Sequence, residues 1–367
     1  IVADDTRIRA TLPTLRRLLE AGARVLVASH LGRPKGKIDA KLSLAPVAQR
    51  LGELLGQPVA FANDCVGAPA ETAAARLGDG EALLLENLRF HAEEEKNEPG
   101  FAAALAKLAD VYVNDAFGTA HRAHASTVGM VAHVSQAAAG DLLRGELEHL
   151  RRVLEPEHPF LCLLGGAKVS DKLSVLAAMA KRADVICIGG AMAYTFLRAK
   201  GQATGASRVE EDQVEEARRV LAAVDEAGHR LLLPVDHVVA QKLEAGLPTR
   251  TEREIPDGWM GLDIGPATAA AYVAEAARAR TIFWNGPMGV FEIDAFARGT
   301  EAVARGVADS AAHSVVGGGD SLAAVNQLRL GDRISHLSTG GGASLEFVEG
   351  RTLPGVAALE GRGPEGR

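Results

Sequence analysis

Short apolar runs alternate with longer amphipathic stretches along almost the whole chain, and this alternation limits the possible folds more than any other feature. Runs of strand length occur at residues 24–29, 82–85, 111–114, 160–164, 185–189, 230–234, 281–284 and 314–317. Helical patterns lie among them, for example at residues 12–21, 44–55, 210–227, 267–277 and 296–308. The alternation predicts parallel sheets with helices on both faces. Two doubly wound domains fit these strands better than one, although a barrel of eight strand–helix units also fits their number.

The chain of 367 residues is long enough for two domains, and a boundary is expected within residues 137–157. Residues 141–154 have a helical pattern, which Pro156 and Pro159 then interrupt. The last apolar segment, residues 347–359, contains Pro354 and Gly355 and has no clear helical pattern. We expect this segment to fold back over one of the domains.

Composition and charge narrow the class of protein. The net charge of −7 argues against general nucleic-acid binding, and the three cysteines have no metal-binding spacing. Residues 1–50 hold ten basic and only four acidic side chains, which indicates either a small anionic ligand or a solvated face. No signal peptide or membrane-spanning segment is evident, so a cytoplasmic location is expected. The chain begins with Ile1 rather than Met, and we expect that an N-terminal piece is absent.

Glycine-rich turns follow several strands of the second half, at residues 165–166, 189–190, 317–319 and 340–342. Glycine lets backbone N–H groups approach a phosphate, and the N-terminus of a following helix favours its negative charge. One such turn is weak support, because parallel folds need tight turns anyway. Several turns at the strand ends of one sheet predict a polyphosphate site.

Charged residues accompany two of these turns. Lys168 and Lys172 are four residues apart, so on a helix they share one face and repel each other. A phosphate between them would reverse that cost, although two solvated lysines are an equal alternative. Asp320 either caps the helix that follows or holds Mg²⁺ on phosphate oxygens. Without other evidence, the helix cap is the favoured role.

Basic side chains follow three strands of the first half, in the segments SHLGRP, ENLRF and NDAFGTAHRAH. Each segment contains an arginine, and two of the three contain histidine. Because strand ends of such folds face one crevice, these groups are expected to converge. The planar guanidinium of arginine suits phosphate and carboxylate groups and always stays charged. A single arginine or histidine in a loop is usually only solvated or capping, but three such groups at equivalent positions are harder to dismiss.

Together these segments resemble the phosphoglycerate kinase family. The similar stretches include TRIRATLPTL, SHLGRPKG, ENLRFHAEEE, NDAFGTAHRAHAS, LGGAKVSDK, WMGLDIGP, WNGPMGVFE, GGGDS and STGGGASLE, in the order of the family. The family's opening strand, an RVDFNVP-like motif, does not precede Ile1. The resemblance implies an α/β fold with two Rossmann-like domains that face a cleft. It places a phosphoglycerate-binding domain at residues 1–140, a hinge helix at 141–154, a nucleotide-binding domain at 155–342, and a C-terminal segment at 343–367 that returns to the first domain.

The resemblance also implies the reaction, which is Mg²⁺-dependent phosphoryl transfer between 1,3-bisphosphoglycerate and ADP, giving 3-phosphoglycerate and ATP. It implies domain closure during the reaction, a monomer with small-molecule partners, and no binding of nucleic acid or membrane. Matching motifs assign the phosphoglycerate site to Arg7, His30, Leu31, Gly32, Arg33, Arg89 and Arg122. They assign the nucleotide site to Gly165, Gly166, Lys172, Gly190, Gly261, Asn285, Pro287, Glu292, Gly318, Gly319, Asp320 and Ser321. They assign catalysis to Arg7, Lys168, Gly318 and Gly341, and the metal to Asp320.

Two other functions remain open at the level of sequence. A nucleotide-dependent dehydrogenase would have a similar fold, but it should show a GxGxxG turn after its first strand, which GGAKVSDK does not match. A non-catalytic metabolite-binding protein would need one anion site rather than two.

Overall fold

The computed structural model describes residues 2–361 and separates the chain into two compact units. Unit 1 comprises residues 2–147 and 352–361, and unit 2 comprises residues 148–351. The division falls inside the helix Asp141–Leu154, whose bounds match the predicted helix. Within the described range, no helix combines the length and apolarity needed to cross a lipid bilayer.

Unit 1 is built on short parallel strands that form two sheets. The strands are β1 (Val25–Val27), β2 (Val59–Ala62), β3 (Ala82–Leu85), β4 (Val111–Asn114) and β5 (Gln136–Ala139). One sheet has the order β1-β3-β2, and β4 pairs with β5 in the other. The helices are α1 (Thr6–Glu20), α2 (Ala45–Leu55), α3 (Gly67–Ala75), α4 (Ala92–Glu95), α5 (Pro99–Ala106) and α6 (Asp141–Leu154).

The middle strand of the larger sheet explains why the apolar runs predict strands here. All four residues of β3 are buried, because helices cover both faces of the sheet. On one side Leu12 and Leu15 of α1 pack with Leu51 of α2. On the other side Leu83 and Leu85 pack with residues of α3 and α5.

Unit 2 contains a larger parallel sheet and a small antiparallel one. Its strands are β6 (Phe160–Leu164), β7 (Val185–Ile188), β8 (Arg230–Leu232), β9 (His237–Ala240), β10 (Arg250–Glu252), β11 (Met260–Ile264), β12 (Thr281–Asn285), β13 (His313–Gly317) and β14 (His336–Ser338). The parallel sheet has the order β14-β13-β12-β6-β7-β8, and β10-β9-β11 form the antiparallel sheet. The six-stranded sheet is open, with the strand order reversing beside β6, so the chain does not form a barrel.

The helices of unit 2 cover this sheet, and one further helix returns to unit 1. They are α7 (Leu173–Met179), α8 (Met192–Ala199), α9 (Val214–Glu226), α10 (Pro266–Arg278), α11 (Arg298–Asp309), α12 (Gly319–Gln327) and α13 (Gly342–Val348), and the returning helix is α14 (Pro354–Leu359). The central strands β6 and β12 are buried along their whole length. Trp284 is fully buried, and its indole N–H donates to the carbonyl of Gly286 at 2.7 Å, which satisfies its polar edge.

The C-terminal part of the chain corrects one prediction. Residues 347–359 do not lack helix, because α13 ends at Val348 and α14 follows from Pro354. Pro354 is the first residue of α14, where its missing N–H costs nothing. The N–H of Gly355 donates to the carbonyl of Ala120 at 2.8 Å, and a Cβ on Gly355 would lie 3.1 Å from the Cα of Ala120. The glycine therefore allows α14 to pack closely against the backbone at Ala120 within unit 1.

Candidate active site

The loops after β1 and β3 are joined by Asn87, to which sequence analysis gave no role, and by Arg89, which it assigned to a binding site. The amide of Asn87 donates to the carbonyls of Leu31 (2.8 Å) and Leu42 (2.9 Å). The Arg89 guanidinium donates through Nη1 to the carbonyl of Gly32 at 3.1 Å. These contacts place the SHLGRP and ENLRF segments side by side at the carboxyl ends of neighbouring parallel strands.

Arg89 is the most deeply buried arginine of this group, with 5% of its surface exposed. Burial lowers the pKa of its guanidinium, and the nearby charges of Arg122 and Arg33 act in the same direction. Its Nε atom lies 3.5 Å from a carboxylate oxygen of Glu95 but makes no hydrogen bond. A buried cation with an unused donor is what an anion-binding site offers before its ligand arrives.

His30 marks the point at which the basic residues of unit 1 converge. Burial lowers the pKa of the His30 imidazole to about 4. Positively charged neighbours lower it further, namely Arg89, His124, Arg7 and Arg122. Residues predicted from separate segments therefore lie close enough to act on one ring. Within residues 2–361, neither Arg7 nor Arg122 forms an ion pair, so this positive charge is available to a ligand.

The loop that carries Arg122 is held by Glu94, which sequence analysis missed. The Glu94 carboxylate is buried and accepts hydrogen bonds from the Ser126 hydroxyl (2.5 Å) and the Ser126 N–H (3.0 Å). Its backbone carbonyl accepts from the N–H of Ala125 at 3.0 Å, and Nδ1 of His124 lies 3.8 Å from the carboxylate. Glu94 thus fixes the segment that follows Arg122. Glu94 stands in the run AEEE, where no local signal distinguishes it from its acidic neighbours.

In unit 2, the glycine turns pack backbone against backbone. The N–H of Gly166 donates to the carbonyl of Pro287, and the N–H of Gly165 donates to the carbonyl of Asn285, both at 3.1 Å. A Cβ on Gly165 would lie 2.0 Å from the Pro287 oxygen, and one on Gly190 would lie 2.5 Å from the N atom of Gly166. Close packing of three strand-end turns therefore requires glycine here.

The two lysines do not lie on one helix face, so that prediction was wrong. The helix α7 begins only at Leu173, and Lys168 and Lys172 occupy the turn that precedes it. The carboxylate of Glu210 fixes this turn by accepting hydrogen bonds from the Ser170 hydroxyl (2.6 Å) and from the N–H of Val169. The contact comes from a residue about forty positions away, which no local pattern reveals.

Lys172 and Asn285 form a hydrogen-bonded pair at the end of β12. Burial lowers the pKa of the Lys172 ammonium, while the charges of Asp171 and Asp320 raise it. The buried Nδ2 of Asn285 makes no hydrogen bond in the described chain. The Lys168 side chain is exposed and forms no ion pair within residues 2–361.

The start of α12 lies next to this pair. Gly318 is the N-cap residue with a φ of +91°, and Asp320 lies in the first turn with no side-chain capping bond. The structure therefore does not support the helix-cap interpretation of Asp320. Ser321 is fully buried, and its hydroxyl accepts from the N–H of Gly286 at 2.6 Å, which ties α12 to the end of β12.

Three predicted residues lie outside this close-packed group. Gly261 lies on β11, where its N–H donates to the Ser207 hydroxyl at 2.9 Å and a Cβ would collide with the Tyr194 hydroxyl. Glu292 is exposed in the segment after β12. Gly341 is the N-cap residue of α13 with a φ of +56°, beyond the end of β14.

Comparison with known proteins identifies the family of the chain. The family profile described as phosphoglycerate kinase matches residues 1–351. The phosphoglycerate kinase of Moorella thermoacetica is 59% identical over 361 residues, which cover 98% of this chain and 92% of the relative. That of Rubrobacter xylanophilus is 60% identical over 364 residues, with the same two coverages.

Solved structures give the same result. The structure of phosphoglycerate kinase from Coxiella burnetii superimposes with a TM-score of 0.91 at 42% identity, covering 98% of this chain and 92% of that one. Phosphoglycerate kinase from Pyrococcus horikoshii gives a TM-score of 0.85 at 36% identity, with the same coverages. The chain belongs to the phosphoglycerate kinase family, with two Rossmann-like domains.

Proposed function

We propose that unit 1 binds the phosphoglycerate and unit 2 binds the nucleotide. The chain is a phosphotransferase, whose reaction moves a phosphoryl group reversibly between 1,3-bisphosphoglycerate and ADP and gives 3-phosphoglycerate and ATP. The observation that carries the division is the convergence of positive groups on His30 in one unit and of glycine turns in the other.

The phosphoglycerate site is assigned to the basic group of unit 1. Arg33, Arg89 and Arg122 would pair with the phosphate and the carboxylate, since guanidinium groups bind both in a bidentate manner. His30 is neutral at pH 7 because its pKa lies near 4, so it contributes a hydrogen bond rather than a charge. The backbone of Leu31 and Gly32 completes the loop that Arg89 braces.

The nucleotide site is assigned to the turns at the ends of the unit 2 strands. The backbone at Gly165, Gly166, Gly190, Gly318 and Gly319 would approach the phosphates. Lys172 would exchange its bond to Asn285 for a phosphate oxygen. Pro287 and Ser321 hold the neighbouring backbone in place, and Gly261 and Glu292 are assigned to the adenosine side by motif alone.

The chemistry needs positioning and charge rather than a base. The acceptor in the reverse direction is a carboxylate, which is already ionised at neutral pH because free carboxyls titrate near ~4. Positive charge from Arg7 and Lys168 would spread over the equatorial oxygens of the phosphoryl group in flight. The N–H groups at Gly318 and Gly341, both at helix N-termini, would add hydrogen bonds to the same oxygens.

Asp320 fits the role of magnesium ligand. Its exposed carboxylate caps no helix and forms no ion pair in the described chain, and Mg²⁺ prefers one or two carboxylates together with phosphate oxygens. When bound, Mg²⁺ would neutralise charge on the nucleotide phosphates. Asp320 would hold the metal–nucleotide complex at the start of α12.

We also propose that residues 141–154 act as the hinge, supported by the division of the chain between residues 147 and 148. A cytoplasmic monomer is the proposed state of the enzyme.

The role of Lys168 is tested by Lys168→Ala in a coupled assay of ATP formation. A charge that acts on the phosphoryl group in flight lowers kcat far more than it raises KM. Lys181→Ala, at another exposed lysine of the same unit, is the matched control and should leave both constants unchanged. A rise in KM at unchanged kcat would make Lys168 a binding residue only.

A further inference from the structure

Three side chains of unit 1 that the proposed reaction does not use bring sulfur, nitrogen and oxygen together. The ligand atoms of Asp64, Cys65 and His91 all lie within 4.8 Å of one another. The Oδ1 atom of Asp64 is 2.7 Å from Nε2 of His91, and the same oxygen accepts from the N–H of Cys65 at 2.7 Å. The three groups therefore face one small volume.

The fold explains why these residues meet. Asp64 and Cys65 follow the end of β2, and His91 follows the turn after β3. The two strands are parallel neighbours, with Ala62 opposite Leu85, so their carboxyl ends lie at the same edge. The His91 ring packs against Phe101 at a centroid distance of 5.2 Å, which restricts its rotation.

Burial differs among the three groups in a way that suits a metal ion. Cys65 has no exposed surface, whereas the side chains of Asp64 and His91 are 38% and 30% exposed. An ion can therefore reach the thiol past the other two ligands. Three protein ligands leave one coordination position on the solvent side, where a water molecule would complete a tetrahedron around the ion.

Two carboxylates, those of Asp64 and Glu94, act on the Cys65 thiol. Burial raises the pKa of Cys65, and the carboxylates of Asp64 and Glu94 raise it further. A divalent cation bound between these ligands would offset the charge of both carboxylates.

We propose that Asp64, Cys65 and His91 form a binding site for a borderline-soft divalent cation of the zinc class. Binding forms one metal–sulfur, one metal–nitrogen and one metal–oxygen bond and releases the thiol proton to solvent. Nε2 of His91 gives up its hydrogen bond to Asp64 and binds the metal as the neutral tautomer, with the imidazole proton moved to Nδ1. The mixed ligand set excludes Mg²⁺, which takes oxygen ligands, so this site is distinct from the one assigned to Asp320.

Cobalt(II) titration of the full chain tests the proposal, because a thiolate ligand gives a sulfur-to-cobalt charge-transfer band in the near ultraviolet. We expect one equivalent of cobalt to produce this band and zinc to displace it. Cys65→Ala should abolish the band. Cys162→Ala, the same change at a buried cysteine of unit 2, should retain it, and Asp320→Asn should retain it as well.

Two further variants and one stability measurement complete the test. Asp64→Asn and His91→Gln should each weaken zinc binding by at least about tenfold. Zinc should raise the unfolding temperature of the unaltered chain, whether or not Cys65→Ala folds. Absence of the charge-transfer band and of any zinc-dependent rise would overturn the proposal and leave the Asp64–His91 contact as a structural hydrogen bond. A band of equal strength in Cys65→Ala would also overturn it.

Discussion

The ammonium of Lys172 donates its hydrogen bond to the side-chain oxygen of Asn285, at the carboxyl end of a central strand of unit 2. Without nucleotide, a partly buried cation is thus stabilised by a neutral amide, with more distant help from Asp171 and Asp320. Burying a cation against a neutral partner costs folding free energy, and under the proposed function a nucleotide phosphate would offset that cost.

Lys172→Met should therefore leave the nucleotide-free protein as stable as before or more stable by about 1 kcal/mol, because a side chain of similar length fills the space without a charge to desolvate. Urea unfolding without nucleotide measures this difference, with Lys181→Met as the exposed control. A decrease of about 2 kcal/mol or more in the free energy of unfolding would show that Lys172 stabilises the fold instead of serving only to bind a ligand.

Gly165→Ala should destabilise unit 2 by about 1–3 kcal/mol, because its Cβ would lie 2.0 Å from the Pro287 carbonyl oxygen and both belong to fixed strand ends. Gly145→Ala is the matched control, since a Cβ there meets nothing within 4 Å and Gly145 lies inside α6. The control should be neutral or stabilising by about 0.5–1 kcal/mol. Equal unfolding free energies for the two variants would contradict the packing described for the glycine turns.

Asp320→Asn should weaken Mg-ADP binding by at least about tenfold, because a carboxylate ligand to the metal is replaced by a neutral amide. Binding of ADP without metal should change little. Calorimetry with and without Mg²⁺ separates the two quantities. If metal-dependent and metal-free affinities fall by the same factor, Asp320 does not act through the metal.

A histidine cluster in unit 2 predicts a pH-dependent stability. The His149 ring stacks on His336 and on His313, at centroid distances of 4.4 and 5.1 Å. Burial, followed by the charges of His336 and His313, lowers the pKa of His149 to about 4. Between pH 6.5 and 4 the unfolded chain therefore binds the proton and the folded chain does not.

Stability should thus be complete above pH 6.5 and fall as the pH falls towards 4. His149→Phe keeps a stacking ring but cannot titrate. Its free energy of unfolding should therefore fall over this interval by about 1–2 kcal/mol less than that of the unaltered chain, after allowance for partial exposure. Urea unfolding at a series of pH values gives the comparison, with His133→Phe at an exposed histidine as the control. Parallel pH profiles for His149→Phe and the unaltered chain would refute the assignment.

The continuous apolar strands were predictable because burial on both faces leaves a local signature. Residues 82–85 and 160–164 are buried throughout and were assigned with the observed bounds. Residues 111–114 were also assigned with the observed bounds, although only Asn114 of that strand is buried. The exposed strand β5 and the short polar strand β10 lack this signature, since their pairing depends on neighbours distant in the chain.

Within the sites, the residue types at the strand ends could be predicted from the sequence. The residues that hold those loops in place could not. His30, Arg89 and Gly165 were assigned because basic residues and glycines follow the strands in their segments. Glu94 and Glu210 hold these loops through contacts that span about thirty to forty positions, which no local pattern reveals.

The division of binding between the units is tested most directly by calorimetry of 3-phosphoglycerate and Mg-ADP on two variants. Arg122→Gln removes one charge-assisted hydrogen bond, so it should weaken the binding of 3-phosphoglycerate by at least about tenfold. The affinity for Mg-ADP should stay within about twofold of the unaltered chain. Lys172→Met should do the reverse, and Arg76→Gln, at an exposed arginine of unit 1, should alter neither. If either of the first two variants weakened both ligands equally, the assignment of one substrate to each unit would be contradicted.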